Sequence, residues 1–170
     1  MLTLEIPTTS VPQLANECEV DGLTPANSER IGQVLAKMWN VQPDEVALLK
    51  LSGTLLNFVY PEKLKQVGSI PLNTTTSVAA RTVNTKRAEA LNNFVGTKHA
   101  SVFEAVNLGS TKPKVIQKLM SVPVISPTGV VGVIQISRKG ATPQDAGADF
   151  TPSDVQRLLS AANQLSKCFK

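Results

Sequence analysis

Residues 119–137 read LMSVPVISPTGVVGVIQIS. Two apolar, β-rich runs, 119–125 and 130–136, flank Ser126-Pro127-Thr128-Gly129, the composition of a tight hairpin turn. Pro127 presets φ where the turn begins, and Gly129 accepts the positive φ that an L-residue resists. Both runs are nearly continuous in apolar residues rather than alternating. That pattern predicts a central hairpin in a sheet covered on both faces.

Downstream, the polar run RKGATPQDAGADF (138–150) predicts a loop, closed by Thr151-Pro152-Ser153-Asp154. Thr151 as cap, Pro152 at the first helical position and Asp154 in the first turn mark a helix start. Val155, Leu158, Leu159, Ala162, Leu165 and Phe169 then form an apolar stripe at period 3.6, the clearest periodic element in the chain.

Upstream, Asn27 or Ser28 is placed to cap a helix whose Ile31, Val34, Leu35 and Met38 recur at i, i+3, i+4 and i+7. Residues 44–51 and 54–60 read as two strands joined by Ser52-Gly53, with Pro61 stopping the second because it has no N–H for the ladder. Residues 61–72 read as a linker-like excursion ending in Ile70-Pro71-Leu72. A run of capping residues, 73–77, opens a helix over 77–85 that carries Val78, Ala79, Thr82 and Val83. Residues 87–92 form a weak strand candidate. Residues 94–106 are irregular, with one amphipathic turn at Val102, Phe103 and Val106. This order predicts an α+β fold with an antiparallel sheet of about five or six strands.

Four of the 13 acidic residues (Glu5, Glu17, Glu19 and Asp21), and none of the 17 Lys and Arg, fall in residues 1–26. With Pro7, Pro12 and Pro25 and no sustained periodicity, this segment reads as an acidic linker or arm, disordered by default. It either links to an upstream partner or lies against the basic remainder as a mask. Leu2, Leu4 and Ile6 alternate and allow a short added strand. The single domain is expected over 27–170. Its basic residues are scattered, with no cluster longer than Lys86-Arg87 or Arg138-Lys139 and few aromatics between them, a pattern unlike a nucleic-acid surface. Cys18 and Cys168 sit at opposite ends in no metal-ligand or redox spacing, so they read as free thiols of a reducing compartment. No run approaches the roughly 18 apolar residues of a membrane span, and the N-terminus lacks the charge and apolar core of a signal peptide. A soluble cytoplasmic protein is expected.

The run Val122-Pro123-Val124, then Gly129-Val130-Val131-Gly132-Val133-Ile134-Gln135-Ile136, then Phe150-Thr151 and the last helix resemble the C-terminal half of a GAF domain. That family is marked by a "VPL" strand, a turn, a "viGvl" strand, a polar loop and a final helix opening with phenylalanine and an acidic residue. The 75–83 helix followed by 87–92 is similar to the family's middle portion, so the resemblance covers about 27–167.

The resemblance implies that the first and last helices share one sheet face and supply the usual homodimer surface. It implies a small-ligand pocket on the other face, under the shorter helix and the 94–106 segment. The chain departs from each liganded subtype of the family. Asn92-Asn93-Phe94 and Phe103-Glu104 are fragments of the cyclic-nucleotide signature, with no acidic pair following. A covalent bilin needs a Cys beside a His, but Lys98 precedes His99 and neither cysteine is near. Free methionine sulfoxide reductases need clustered cysteines, because one must resolve the sulfenic acid on another; Cys18 and Cys168 lie far from the implied pocket. His99 beside Ser101 and Glu104 matches a hydrolytic triad only in name, and a non-enzyme is expected.

By position, the ligand-binding candidates are Asn57, Arg81, Asn92, His99 and Phe103. Arg81 suits a carboxylate or phosphate, or is a solvated helix residue. Phe103 reads as core or ligand platform. His99 reads as a histidine satisfied by backbone groups, with an axial haem ligand as the alternative. Two functions remain open. One is a sensory module that binds a small cytoplasmic ligand and relays it through dimer-forming terminal helices to an output partner in trans. The other is an unliganded dimerisation or protein-interaction domain.

Overall fold

The computed structural model of the chain describes residues 10–94 and 115–170. The alternating Leu2, Leu4 and Ile6, and the candidates His99, Ser101, Phe103 and Glu104, lie outside the described residues.

The hairpin of 119–137 extends in both directions. β5 (Val115–Ser126) and β6 (Gly129–Gly140) pair from Val115 opposite Gly140 to Ser126 opposite Gly129. Gly129 takes φ 128°, the positive value that only glycine tolerates at a tight turn. β6 also pairs with β1 (Val46–Ser52), which pairs with β2 (Leu55–Tyr60), which pairs with the short β3 (Ser69–Pro71); β4 (Glu89–Leu91) pairs with β5. The sheet is six-stranded and antiparallel, in the order β3-β2-β1-β6-β5-β4. The expected central position of the hairpin follows directly. Residues 116–124 of β5 are buried without a break, because both faces of that strand are covered.

One face carries a helix layer. α2 (Pro25–Trp39) and α5 (Pro152–Leu165) pack Ile31, Leu35, Leu158 and Leu165 against Leu48, Met120, Val122 and Ile134 of the sheet. α2 comes close because Gly32 has no Cβ; one built there would lie 2.3 Å from the Tyr60 ring. The opposite face carries α3 (Val78–Thr85), whose Val78, Ala79 and Val83 pack with Ala47, Leu49, Phe58, Leu119 and Val133.

Several boundaries correct the sequence reading. α2 begins at Pro25 with Thr24 as its cap, rather than at Asn27 or Ser28. Thr24 Oγ1 accepts from Asn27 N at 3.1 Å, the arrangement Thr151 repeats on Asp154 N at the start of α5. The β1–β2 connection is Gly53-Thr54, since Ser52 and Leu55 are already paired. Asp44 and Glu45 belong to a 3-10 turn, Pro43–Glu45, ahead of the strand. The excursion after Pro61 holds the 3-10 helix Glu62–Val67 and then β3. The polar loop after β6 contains a one-turn helix, α4 (Pro143–Ala146), again capped by a Thr-Pro pair.

The largest correction concerns the arm. Residues 11–18 form α1 (Val11–Cys18), and Val11, Leu14, Ala15 and Cys18 enter the helix-side core against α5. The i, i+3, i+4, i+7 spacing of these four residues was in the sequence, but two turns of helix beside prolines carry too few repeats to stand out. Glu17 pairs with Arg30 at 3.0 Å and Glu19 with Lys167 at 3.8 Å. Among the described residues, no helix is long and apolar enough to cross a membrane.

Candidate functional site

The α3 side of the sheet is apolar except along one line. Ser121 of β5 and Gln135 of β6 are cross-strand partners, and each interrupts an otherwise apolar run. Both are buried, as is Thr82 on the inner face of α3. Gln135 Nε2 donates to Ser121 Oγ at 3.2 Å, Ser121 Oγ lies 2.7 Å from Thr82 Oγ1, and Thr82 Oγ1 donates to Val78 O at 2.9 Å. A hydroxyl has one hydrogen, and that of Thr82 is committed to Val78. Ser121 is therefore the donor to Thr82, and the chain of bonds runs in one direction from Gln135 to the α3 backbone.

The next residue in this row is Glu89 of β4, opposite Ser121. Arg81 of α3 reaches it with both Nε and Nη2, each 2.9 Å from Glu89 Oε1. Both residues are about two-thirds buried, so this is a partly desolvated ion pair at the rim of the polar line. Farther along β6 on the same face, Ser137 Oγ donates to Glu45 O at 3.3 Å, and Lys139 follows. Burial pulls the Lys139 pKa down, against the opposing charges of Asp44 and Glu45. Separately, Thr54, Pro71, Leu72, Asn73 and Asn84 line an open groove of about 480 Å³ beside the β3 edge.

The structure distributes the sequence candidates unevenly. Arg81 lies at the polar line, held by Glu89. Asn92, just after β4, spends its side-chain amide on the backbone of Phe150: Nδ2 donates to Phe150 O at 3.0 Å and Oδ1 accepts from Phe150 N at 2.8 Å. Asn57 sits between Leu56 and Phe58, both of which enter the α3-side core, so it projects from the opposite face of β2, where it accepts from Ser69 Oγ. His99 and Phe103 lie outside the described residues. Sequence reasoning passed over Thr82, Glu89, Ser121 and Gln135. The available signal was a Ser and a Gln inside two runs otherwise fit for complete burial.

The two cysteines, distant in sequence, are both buried in the helix-side core, across the sheet from this polar line.

A six-stranded antiparallel sheet with helices from both ends of the chain on one face and a capped short helix on the other is a two-sided α+β architecture. The GAF domain family model matches residues 27–169, and the chain belongs to that family. Its fold is similar to the GAF domain of an Acinetobacter phosphoenolpyruvate-protein phosphotransferase (TM-score 0.66, 15% identity, 99% of this chain and 94% of that one). It is similar to a portion of a methyl-accepting chemotaxis protein (0.63, 14%, 92% and 94%). It also resembles a type II free methionine-R-sulfoxide reductase from Thermoplasma acidophilum (0.60, 15%, 92% and 94%). At these identities the likeness is one of fold. A comparison of the sequence with curated proteins finds no match.

Proposed function

We propose that this chain is a GAF-type sensory module that takes a small polar ligand on the α3 side of the sheet. The observation that carries this reading is the polar line Gln135–Ser121–Thr82 with the Arg81–Glu89 pair at its end. A few convergent polar groups on an otherwise apolar face are what a small-ligand site is built from.

The relay runs through β4. Glu89 at one end of the strand holds α3, and Asn92 just beyond its other end holds Phe150, the residue immediately before the α5 cap. Phe150 is fixed further by the Arg138 guanidinium, 4.9 Å from the ring centroid. A ligand that shifts α3 or splits the Arg81–Glu89 pair therefore pulls on the start of α5. In this reading α2 and α5 form a homodimer surface that carries the change to an output partner in trans.

We read the domain as non-enzymatic and cytoplasmic. The cysteines that a sulfoxide reductase would need at the pocket are across the sheet from it, and both are free thiols. A second reading, an unliganded interaction domain, is favoured by one feature: the bonds from Gln135 to Val78 O are already satisfied internally.

A thermal-shift panel of nucleotides, amino acids and tetrapyrroles separates the two, because a ligand bound only by the native state raises Tm. Sensing predicts a shift that Ser121→Val or Arg81→Gln abolishes. No shift across the panel, together with a dimer whose mass in light scattering is unchanged by any compound, supports the interaction domain instead.

A further inference from the structure

Cys168 closes the 3-10 turn Ser166–Cys168 that follows α5, and Cys18 ends α1; both are 0% exposed and belong to one core. Cys168 Sγ lies 3.4 Å from Ala15 O, and Ala15 stands one turn before Cys18 on the buried face of α1. Beyond Cys18, Gly22 N donates to Cys18 O at 2.8 Å, and a Cβ at Gly22 would lie 3.3 Å from Cys168 O. Cys168 is thus bracketed along the chain by a contact before Cys18 and a contact after it. The Cys18 side chain lies on the same buried face of α1 as Ala15, in the core that also holds Cys168.

We propose that Cys18 and Cys168 are a dithiol–disulfide pair, and that oxidation staples α1 to the C-terminal end of the domain. The oxidant is a low-molecular-weight disulfide. A Cys18 thiolate attacks it, forming a mixed disulfide and expelling one small thiolate. The Cys168 thiolate then attacks the Cys18 sulfur, forming the internal S–S bond and expelling the second. The protein loses two protons and two electrons, and the small disulfide is reduced to two thiols. Cys18 is the entry point because Arg30 partly offsets the rise that burial imposes on its pKa, whereas burial and the neighbouring Cys18 push Cys168 up to about 11.

Access comes from α1. It is eight residues long, anchored by four apolar side chains, and its ion pairs to Arg30 and Lys167 involve groups roughly half exposed. A helix this short is among the first elements to open locally. The disulfide closes that route, fixing both ends of the domain to each other.

The test uses the full chain in glutathione redox buffers, read by intact mass, peptide mapping and hydrogen exchange. Expected are a monomer lacking two hydrogens, a mapped Cys18–Cys168 link reversed by dithiothreitol, faster formation at higher pH, and slower amide exchange in α1 after oxidation. Cys168→Ala should leave a mixed disulfide on Cys18, whereas Cys18→Ala should leave Cys168 modified far more slowly, because the entry thiol is gone. Wild-type protein that gives only glutathione adducts or intermolecular dimers, or whose thiols react only in denaturant, overturns the proposal. The wild-type mapping decides the matter even if either variant fails to fold. The sensing reading is independent of the result.

Discussion

The side-chain amide of Asn92 makes two hydrogen bonds to one residue, donating to the carbonyl of Phe150 and accepting from its N–H. It acts as one more rung of a β-ladder between the end of β4 and the start of α5. Asn92→Ala leaves both partly buried backbone groups without that partner, and a loss of about 1–3 kcal/mol is expected. Asn92→Asp keeps the acceptor, but its ionised carboxylate faces the Phe150 carbonyl oxygen, so its loss should be larger at pH 7 than below about pH 4, where the protonated acid can donate. Urea midpoints measure both variants.

Ser28 presents the reverse case. It is 1% exposed within α2, and its hydroxyl makes no hydrogen bond, because Thr24 has taken the capping role one turn earlier. Ser28→Ala removes a desolvated donor and improves helix propensity, so stability should rise by about 1 kcal/mol. An unchanged or lower Tm would show that the hydroxyl has a partner after all.

The line from Gln135 through Ser121 to Thr82 should behave as a unit. Ser121→Val strands the Gln135 amide, at an expected cost of about 1–3 kcal/mol. Thr82→Val removes the far end of the same line. Because the two hydroxyls share a bond, the double variant should lose less than the sum of the singles, by at least about 0.5 kcal/mol in a double-mutant cycle.

Gly32→Ala places a methyl group against the Tyr60 ring, 2.3 Å from its nearest carbon. Overpacking of about 1–3 kcal/mol is expected, well above the gain in helix propensity. Adding Tyr60→Ala should remove most of the penalty that Gly32→Ala carries alone, which thermal denaturation of the four proteins would show.

Asp154 accepts from Thr151 N at 2.9 Å, completing a capping box, and this backbone bond holds its carboxyl below the usual carboxylate range. A carboxylate depressed in the folded state contributes stability above its unfolded pKa and loses it as pH falls through the folded pKa. The contribution should thus be full at pH 7 and disappear on acidification below about pH 4. Asp154→Asn should flatten that part of the pH dependence of the urea midpoint.

Much of the architecture is legible in local sequence. The unbroken apolar runs of 119–137 indicate a strand pair covered on both faces, and the Thr-Pro start at 151–152 marks α5, because these signals depend on residues a few positions apart. The same locality explains the errors. Asn27 and Ser28 have the chemistry of a cap, but Thr24-Pro25 adds a fixed φ and starts the helix earlier. α1 has the right spacing, but its two turns acquire meaning only once α5 offers an apolar surface.

By itself, then, the sequence determined most of the helix and strand segments, though not α1 or β3, together with the central hairpin and the family resemblance, since period, turn chemistry and capping are short-range properties. Only the tertiary structure decided which polar residues meet. Thr82 and Ser121 are 39 positions apart and Asn92 and Phe150 are 58. Strand order and register set these pairings. A one-residue shift in register would turn Ser121 toward the other face.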